Sequence, residues 1–326
     1  MPPAEAPALR PIEASKRRMP ELSSIASTYK AHDTEELIDR FLYRPAGYGI
    51  ALLARKTGIK PNTVTFSGLA AGAAGGHMFY YQDGTLILFG VFLLMLSQAL
   101  DGADGQLARM TGQCSTTGRI LDGFSTNVVF LSVYIHLCLR LMNEGATLWI
   151  FAPAAAAGAS HSAQSAVADY FRNAYLYFAH GRNRSELDSS DRIRQAYSDL
   201  SPRGGFFEKF LTRIYLNYTL MQERYAPGLR RLLTAIGARY GKDAPDWLGR
   251  DYAAGSRPLL KYYNMLTTNT RMIALFIALA ANRPLWYFLF EILALNAMLA
   301  GVLYAQHRLI NGLIDRIETD MPSRVG

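Results

Sequence analysis

Apolar residues in this chain come in long blocks separated by strongly charged stretches, a pattern that reads as membrane spans joined by wet loops. Windows of about 20 residues, the helical length that crosses a hydrocarbon core, predict spans near 63–82, 86–104, 119–141, 147–170, 268–283 and 285–306. The expected fold class is therefore an all-α integral membrane protein with about six transmembrane helices and cytoplasmic amphipathic helices. The same pattern divides the chain into an N-terminal juxtamembrane segment (1–62), a core of four spans (63–172), a polar insert (173–266) and two further spans with a tail (267–326).

Within the insert, Ser201-Pro202-Arg203-Gly204-Gly205 predicts a turn. Phe206, Phe207, Phe210, Leu211, Ile214 and Tyr215 then recur at helical spacing among polar residues. Such a face suits a helix lying in the membrane interface or one packed on its neighbours. In the first span, Gly68, Gly72 and Gly76 fall on one helix face and permit close backbone approach, chiefly as a packing seam.

Half of the residues are hydrophobic, and 34 Lys and Arg stand against 26 Asp and Glu, a net charge of +8. A surplus of this kind favours acidic partners. With long apolar runs beside it, an anionic lipid surface or a phosphorylated substrate is the expected partner, and nucleic acid is not. Two cysteines, Cys114 and Cys138, are too few for a disulfide framework. Residues 1–30 lack the apolar core of a secretory signal, so insertion through internal spans is expected.

The basic residues also orient the spans. Arg40, Arg44, Arg55, Lys56 and Lys60 precede the first one, whereas Gln82-Asp83-Gly84-Thr85 after it has no Lys or Arg. By the positive-inside rule both termini and the 173–266 insert are cytoplasmic, and the expected location is the cell (inner) membrane.

One segment breaks sharply from its apolar surroundings: Asp101-Gly102-Ala103-Asp104-Gly105-Gln106-Leu107-Ala108-Arg109, followed after eight residues by Gly118-Arg119-Ile120-Leu121-Asp122. Positions 101, 104, 105 and 108 share one helix face, so two carboxylates lie beside two residues with almost no side chain. Asp122 opens the next span on the same side, and a helical hairpin brings the three acids together. Hard oxygen ligands of this kind suit Mg²⁺ or Mn²⁺, ions that also hold substrate phosphates. Gly105 and Ala108 leave room for a flat or bulky ligand, while Arg109 and Arg119 supply charge for a diphosphate.

The run Asp-xx-Asp-Gly-xx-Ala-Arg, eight residues, Gly-xxx-Asp resembles the CDP-alcohol phosphotransferase family, and Lys60-Pro61-Asn62-Thr63-Val64-Thr65 is similar to that family's approach to its first span. The resemblance covers about residues 35–175. It implies that Asp101, Asp104 and Asp122 hold the metal, that Asn62, Thr65, Gly105, Ala108 and Arg109 lie along the CDP moiety, and that Ser115 reaches a donor phosphate. The implied reaction moves a phosphoryl-alcohol group from a CDP-linked lipid donor, CDP-diacylglycerol first among them, to a polar alcohol or its phosphate, with release of CMP. Membrane lipids and a second copy of the chain in a homodimer complete the expected partners.

The resemblance fails at one position. Where the family carries a fourth aspartate as second-metal ligand and general base, this chain has Thr126, and Ser125 and Asn127 lie about 100° away around the helix. Either transfer activity is lost, or another residue supplies the base, or the acceptor arrives ionised. A substitute is available in the polar stripe His161, Gln164, Ser165, Asp169 and Arg172, with Asp169 at the depth of the other acids; pairing of Asp169 with Arg172 is the alternative. A binding protein without turnover, and a transporter using the stripe, are the rival functions. Glu291 in the last span is either functional or paired with another helix. His77, His136 and His307 lack ligand-like spacing and are read as interfacial or packing residues.

Overall fold

The computed structural model describes residues 36–181, 185–200, 205–241 and 244–319. Residues 1–30, expected to lack a signal, and positions 201–204 of the expected turn fall outside them.

Every regular element among the described residues is helical. A π-helical turn, Asp39–Tyr43, leads into α1 (Arg44–Thr57), which ends at Gly58 in the left-handed conformation. Lys60 is extended and Pro61 opens α2 (Pro61–Met78), the position where a missing N–H costs nothing. Asp83 caps α3 (Gly84–Thr111) by accepting the Thr85 and Leu86 N–H groups at 2.9 Å. Gly112, left-handed at φ 66°, stops α3, and the Ser115 side chain caps α4 (Thr116–Asn143) three residues later. That short turn makes α3 and α4 a hairpin. There follow α5 (Phe151–His180), α6 (Ser190–Asp199), α7 (Phe206–Tyr225), α8 (Pro227–Tyr240), α9 (Asp246–Ser256), α10 (Leu260–Met265) and α11 (Thr268–Ala280). Finally α12 (Leu285–Leu289), a π-helical turn (Phe290–Leu295) and α13 (Asn296–Thr319) run on as one rod.

Three of these helices are long and apolar enough to cross a membrane: Gly84–Thr111, Thr117–Asn143 and Leu285–Thr319. The other three expected spans are helical with a different character. The α2 helix is built largely of Gly and Ala, which bury little apolar area, and α5 carries the polar stripe. The 13 residues of α11 reach about 20 Å, short of a core about 30 Å thick.

The glycines of α2 are where the bundle closes. A Cβ on Gly72 would stand 2.5 Å from Val129 of α4, one on Gly75 2.8 Å from the Gly90 carbonyl of α3, and one on Gly76 2.9 Å from the Val133 nitrogen. Packing is thus what the spacing of small residues does here. The insert is not a separate body. Leu229, Leu232 and Ile236 of α8 and Leu248 and Tyr252 of α9 bury against Phe171, Ala174 and Tyr175 of α5 and against Ile310 and Leu313 of α13. On α7 the two expected roles divide: Phe206, Phe207 and Phe210 are exposed, whereas Leu211 is buried with Ile120 and Leu121 of α4.

Deep between α4, α5, α11 and the last rod lies a polar network. Arg271 Nε is 3.4 Å from Glu291, the Tyr134 hydroxyl donates to the same carboxylate at 2.5 Å, and Arg271 also donates to Gln164 at 2.6 Å. Both charged residues are fully buried, so each is the other's compensation. Glu291 is therefore paired across helices, and His161 belongs here too, 3.0 Å from Tyr134.

Candidate active site

The turn between α3 and α4 sets the site. It returns the chain so that Asp122, on the second turn of α4, comes within hydrogen-bonding reach of Asp101, with Asp104 close by on α3. Asp104 is buried and accepts from the Thr65 hydroxyl of α2. Among the described residues, no group of three or more His, Cys, Asp or Glu side chains is gathered into a metal-holding cluster. Proximity and convergence therefore differ: Asp101 and Asp122 adjoin, while Asp104 is drawn toward α2. The donor set is hard oxygen throughout, with the Arg44 charge acting on Asp101. That chemistry fits Mg²⁺ or Mn²⁺ with water or phosphate completing the shell.

Beside the acids opens a cavity of about 370 Å³. Its wall brings together Asn62 and Thr65 from α2, Asp104, Gly105, Ala108 and Arg109 from α3, and Ser115 and Asp122 from the hairpin. All the residues assigned from the resemblance to the CDP moiety thus line one space. The Gly105 face is open: a Cβ there would meet only the Arg109 guanidinium, at 3.4 Å. Among the described residues, Arg109 and Arg119 each retain a buried Nε with no partner, two donors suited to an anionic ligand.

The cavity also contains residues that the sequence reading did not reach. Cys114, exposed, and Glu186, from the loop after α5, are part of its wall. That loop is pinned to α5, since Ser185 Oγ donates to the Asn173 carbonyl at 2.7 Å and the Glu186 N–H donates to Asn173 Oδ1 at 3.1 Å. Arg119 is not wholly given to a diphosphate. It donates to Asp188 at 3.1 Å and to the Tyr215 hydroxyl at 3.2 Å, and its guanidinium lies 5.2 Å from the Tyr215 ring centre. Burial, with the Asp188 carboxylate beside it, pushes the Tyr215 phenol up, so it remains a protonated donor to Asp188 at 2.7 Å. The insert thereby clamps one wall of the cavity. Local pattern did not show this, because residues 119, 188 and 215 are far apart in sequence.

Two more spaces adjoin the first. A small one of about 30 Å³ is lined by Thr65, Gln98, Asp101, Thr126 and Thr268 among others, and a polar one of about 210 Å³ by Glu36, Arg44, Gln98, Asp169, Arg172, Thr268 and Asn269 among others. Thr65 is common to the first pair, Gln98 and Thr268 to the second. Thr126, at the expected base position, directs its hydroxyl to the Asp122 carbonyl at 3.4 Å, and Ser125 and Asn127 likewise bond the carbonyls four residues back, at 2.9 and 2.7 Å. None of the three replaces a carboxylate. Asp169 lines the third space and not the one that holds Asp101 and Thr126. Its carboxylate accepts from Asn173 at 3.0 Å, Gln222 at 3.1 Å and Tyr218 at 3.4 Å. Asn269, buried, gives its amide to Glu36 and Asp39 at 2.9 Å, and its Oδ1 has no partner among the described residues.

The family model for CDP-alcohol phosphatidyltransferase matches residues 59–171, which contain α2, α3, α4 and most of α5. No curated protein and no solved structure matches the chain. The matched stretch begins just before the Pro61-Asn62 entry to α2, includes all three acids of the α3–α4 hairpin, and supplies most of the 370 Å³ cavity wall. Residues 59–171 are a CDP-alcohol phosphatidyltransferase domain.

Proposed function

We propose that the chain is a membrane enzyme that transfers the substituted phosphoryl group of a CDP-alcohol, CDP-diacylglycerol being the preferred donor, to a hydroxyl of a small polar alcohol or its phosphate. Membership of the domain in its family implies CDP-alcohol phosphotransferase activity in lipid synthesis. The observation that carries the finer reading is the 370 Å³ cavity, where small residues, unpartnered arginine nitrogens and carboxylates meet in one wall.

In this reading the cytidine and diphosphate lie along Asn62, Thr65, Gly105 and Ala108, with Arg109 and Ser115 toward the phosphates. Asp101, Asp104 and Asp122 would hold Mg²⁺ or Mn²⁺, which would supply charge neutralisation at the transferring phosphoryl group. The acceptor enters from the 210 Å³ space, whose amides, hydroxyls, carboxylates and arginines suit a hydroxyl-rich molecule. Its oxygen forms the new P–O bond, the bond to CMP breaks, and the hydroxyl proton leaves to a carboxylate bordering the path. Asp169, which lines that space with Glu36 and Asp39, is the carboxylate assigned this role. The chain sits in the membrane by six helical segments, α2, α3, α4, α5, α11 and the α12–α13 rod, with both ends and the insert cytoplasmic. A chain that binds the nucleotide without turnover is the second reading, and Thr126 favours it.

Purified protein incubated with CDP-diacylglycerol, Mg²⁺ or Mn²⁺ and a panel of polyols and their phosphates should release CMP only when an accepted alcohol is present. Cys114 offers a readout independent of turnover, because it is exposed in the cavity wall while Cys138 is buried. CMP with Mg²⁺ should slow its labelling by maleimide. Protection without CMP release from any donor and acceptor would leave the binding reading; no protection would remove the nucleotide site.

A further inference from the structure

The opposite end of α2 carries a second constellation, about 18 Å along the helix from Thr65 at 1.5 Å per residue. His77, on the last turn of α2, and His136, on α4, meet there with Nδ1 of the first 3.0 Å from Nε2 of the second. Fifty-nine positions separate them in sequence, so spacing alone could not reveal the contact.

A neighbouring carbonyl places the proton of one ring. His136 Nδ1 lies 2.8 Å from the Ser132 carbonyl, which can only accept, so the proton sits on Nδ1 and the Nε2 lone pair faces His77. A hydrogen bond of this kind fixes the ring of a metal-binding imidazole. His77 Nε2 lies 3.5 Å from the Tyr81 hydroxyl. In the tautomer with its proton on Nε2, toward the Tyr81 hydroxyl, His77 aims a second lone pair into the same gap, where a cation would take the place of the proton shared in the other tautomer. The backbone is held firmly at this point. Ser132 Oγ donates to the Ala73 carbonyl of α2 at 2.9 Å, and a Cβ on Gly76 would stand 2.9 Å from the Val133 nitrogen.

We propose that His77 and His136 form a site for a divalent transition-metal ion, with Cu²⁺ fitting best. Nitrogens 3.0 Å apart, each at a metal–nitrogen length of about 2.0–2.1 Å, subtend about 95° at the metal. That is near the right angle of tetragonal Cu²⁺ or Ni²⁺ and below the tetrahedral angle of Zn²⁺. Two protein ligands are present and water fills the other positions, supplied by a cavity of about 260 Å³ bounded by His77, Tyr80, His136, Leu139, Met142 and Asn143. The neighbouring cation, Arg140, has its charge matched by Glu144 at 3.2 Å. The site is independent of the transfer reaction.

The full-length protein in detergent, saturated with Mg²⁺, is titrated with glycine-buffered Cu²⁺ and followed by electron paramagnetic resonance and by thermal unfolding. One equivalent should bind with hyperfine coupling to two imidazole nitrogens and raise the unfolding temperature. His77→Gln and His136→Gln should each lower that affinity at least tenfold and abolish the two-nitrogen pattern, while unfolding without copper and CMP binding stay as in the parent. Zn²⁺ should bind at least tenfold more weakly than Cu²⁺. Equal copper binding in the variants, or a parent spectrum without imidazole coupling, would mean that the pair only shares a proton, and would overturn the proposal.

Discussion

Gly76 on α2 and Gly105 on α3 are both small residues on the face of an apolar helix, yet an added methyl group would meet very different surroundings. At Gly76 it would stand 2.8 Å from Ser132 Oγ and 2.9 Å from the Val133 backbone nitrogen of α4. At Gly105 it would meet only the guanidinium of Arg109, 3.4 Å away. The first glycine is small because another helix occupies its space. The second is small although no other helix does, and the space before it is the cavity that also contains Asn62, Ser115 and Asp122. Smallness enforced by a neighbouring backbone is a packing requirement. Smallness facing an open, polar space with unpartnered arginine nitrogens is better explained by a ligand.

The sharpest way to break this contrast is to fill both faces. Gly76→Val should destabilise the protein by about 3 kcal/mol, the upper range for overpacking a core, because the backbone of α4 cannot step aside. Thermal unfolding in detergent would show it with or without nucleotide. A Gly76→Val protein as stable as the parent would mean that α2 and α4 are not in backbone contact.

Charge offers the same contrast. Arg271 and Glu291 are buried as a matched pair, whereas Asp101 and Asp122 adjoin each other as like charges. Neutralising one member of the like-charged pair should therefore leave the apo protein at least as stable, while a hard anionic ligand is lost to the ion. Asp101→Asn and Asp122→Asn are expected to weaken Mg²⁺ or Mn²⁺ binding by about tenfold to a hundredfold, about 1.4–2.8 kcal/mol, as read by Mn²⁺ titration. Unchanged affinity in both, or a large loss of apo stability, would remove the metal assignment.

Gly105→Val and Ala108→Leu come next in size. Only Arg109 must move to admit the first, so apo stability and metal affinity should hold within experimental scatter. CMP binding should fall by about tenfold, about 1.4 kcal/mol. Variants that lose stability but bind CMP like the parent would make this face a packing seam after all.

Much of this arrangement was readable from local pattern. Helix positions followed from the apolar blocks, the close approach of α2 from glycines four apart, and the acid-bearing face of α3 from positions 101, 104, 105 and 108. These are features of one helix at a time, and helical geometry projects them directly into space. What stayed hidden depends on contacts between distant segments. Arg119 finds Asp188 and Tyr215 in the insert, Glu186 reaches the cavity wall, and Asn269 fastens Glu36 and Asp39. Glu291 could be read as paired or functional, but not assigned to Arg271. Spans counted by apolar length were also least secure where Gly, Ala or polar residues dominate, as in α2 and α5.

The smallest expected effect concerns Thr126, which tests whether the departure from the family pattern changed a catalytic group or removed one. Its hydroxyl is turned toward the Asp122 carbonyl at 3.4 Å, as Ser125 and Asn127 turn their side chains toward the preceding helical turn. A hydroxyl of ordinary acidity is a poor proton acceptor at neutral pH, and this one bonds its own helix. Thr126→Val has nearly the same shape and removes only that bond. Mg²⁺-dependent CMP binding should stay within about twofold of the parent, because a difference of that size is about 0.4 kcal/mol, less than a typical hydrogen bond. Any CMP release from a CDP-alcohol should change as little, since the proton is expected to leave by a carboxylate of the path. Asp169→Asn, measured beside it, should lower release while sparing CMP binding. If Thr126→Val abolishes release and Asp169→Asn does not, the threonine itself takes part in the chemistry, and the path toward the 210 Å³ space loses its role.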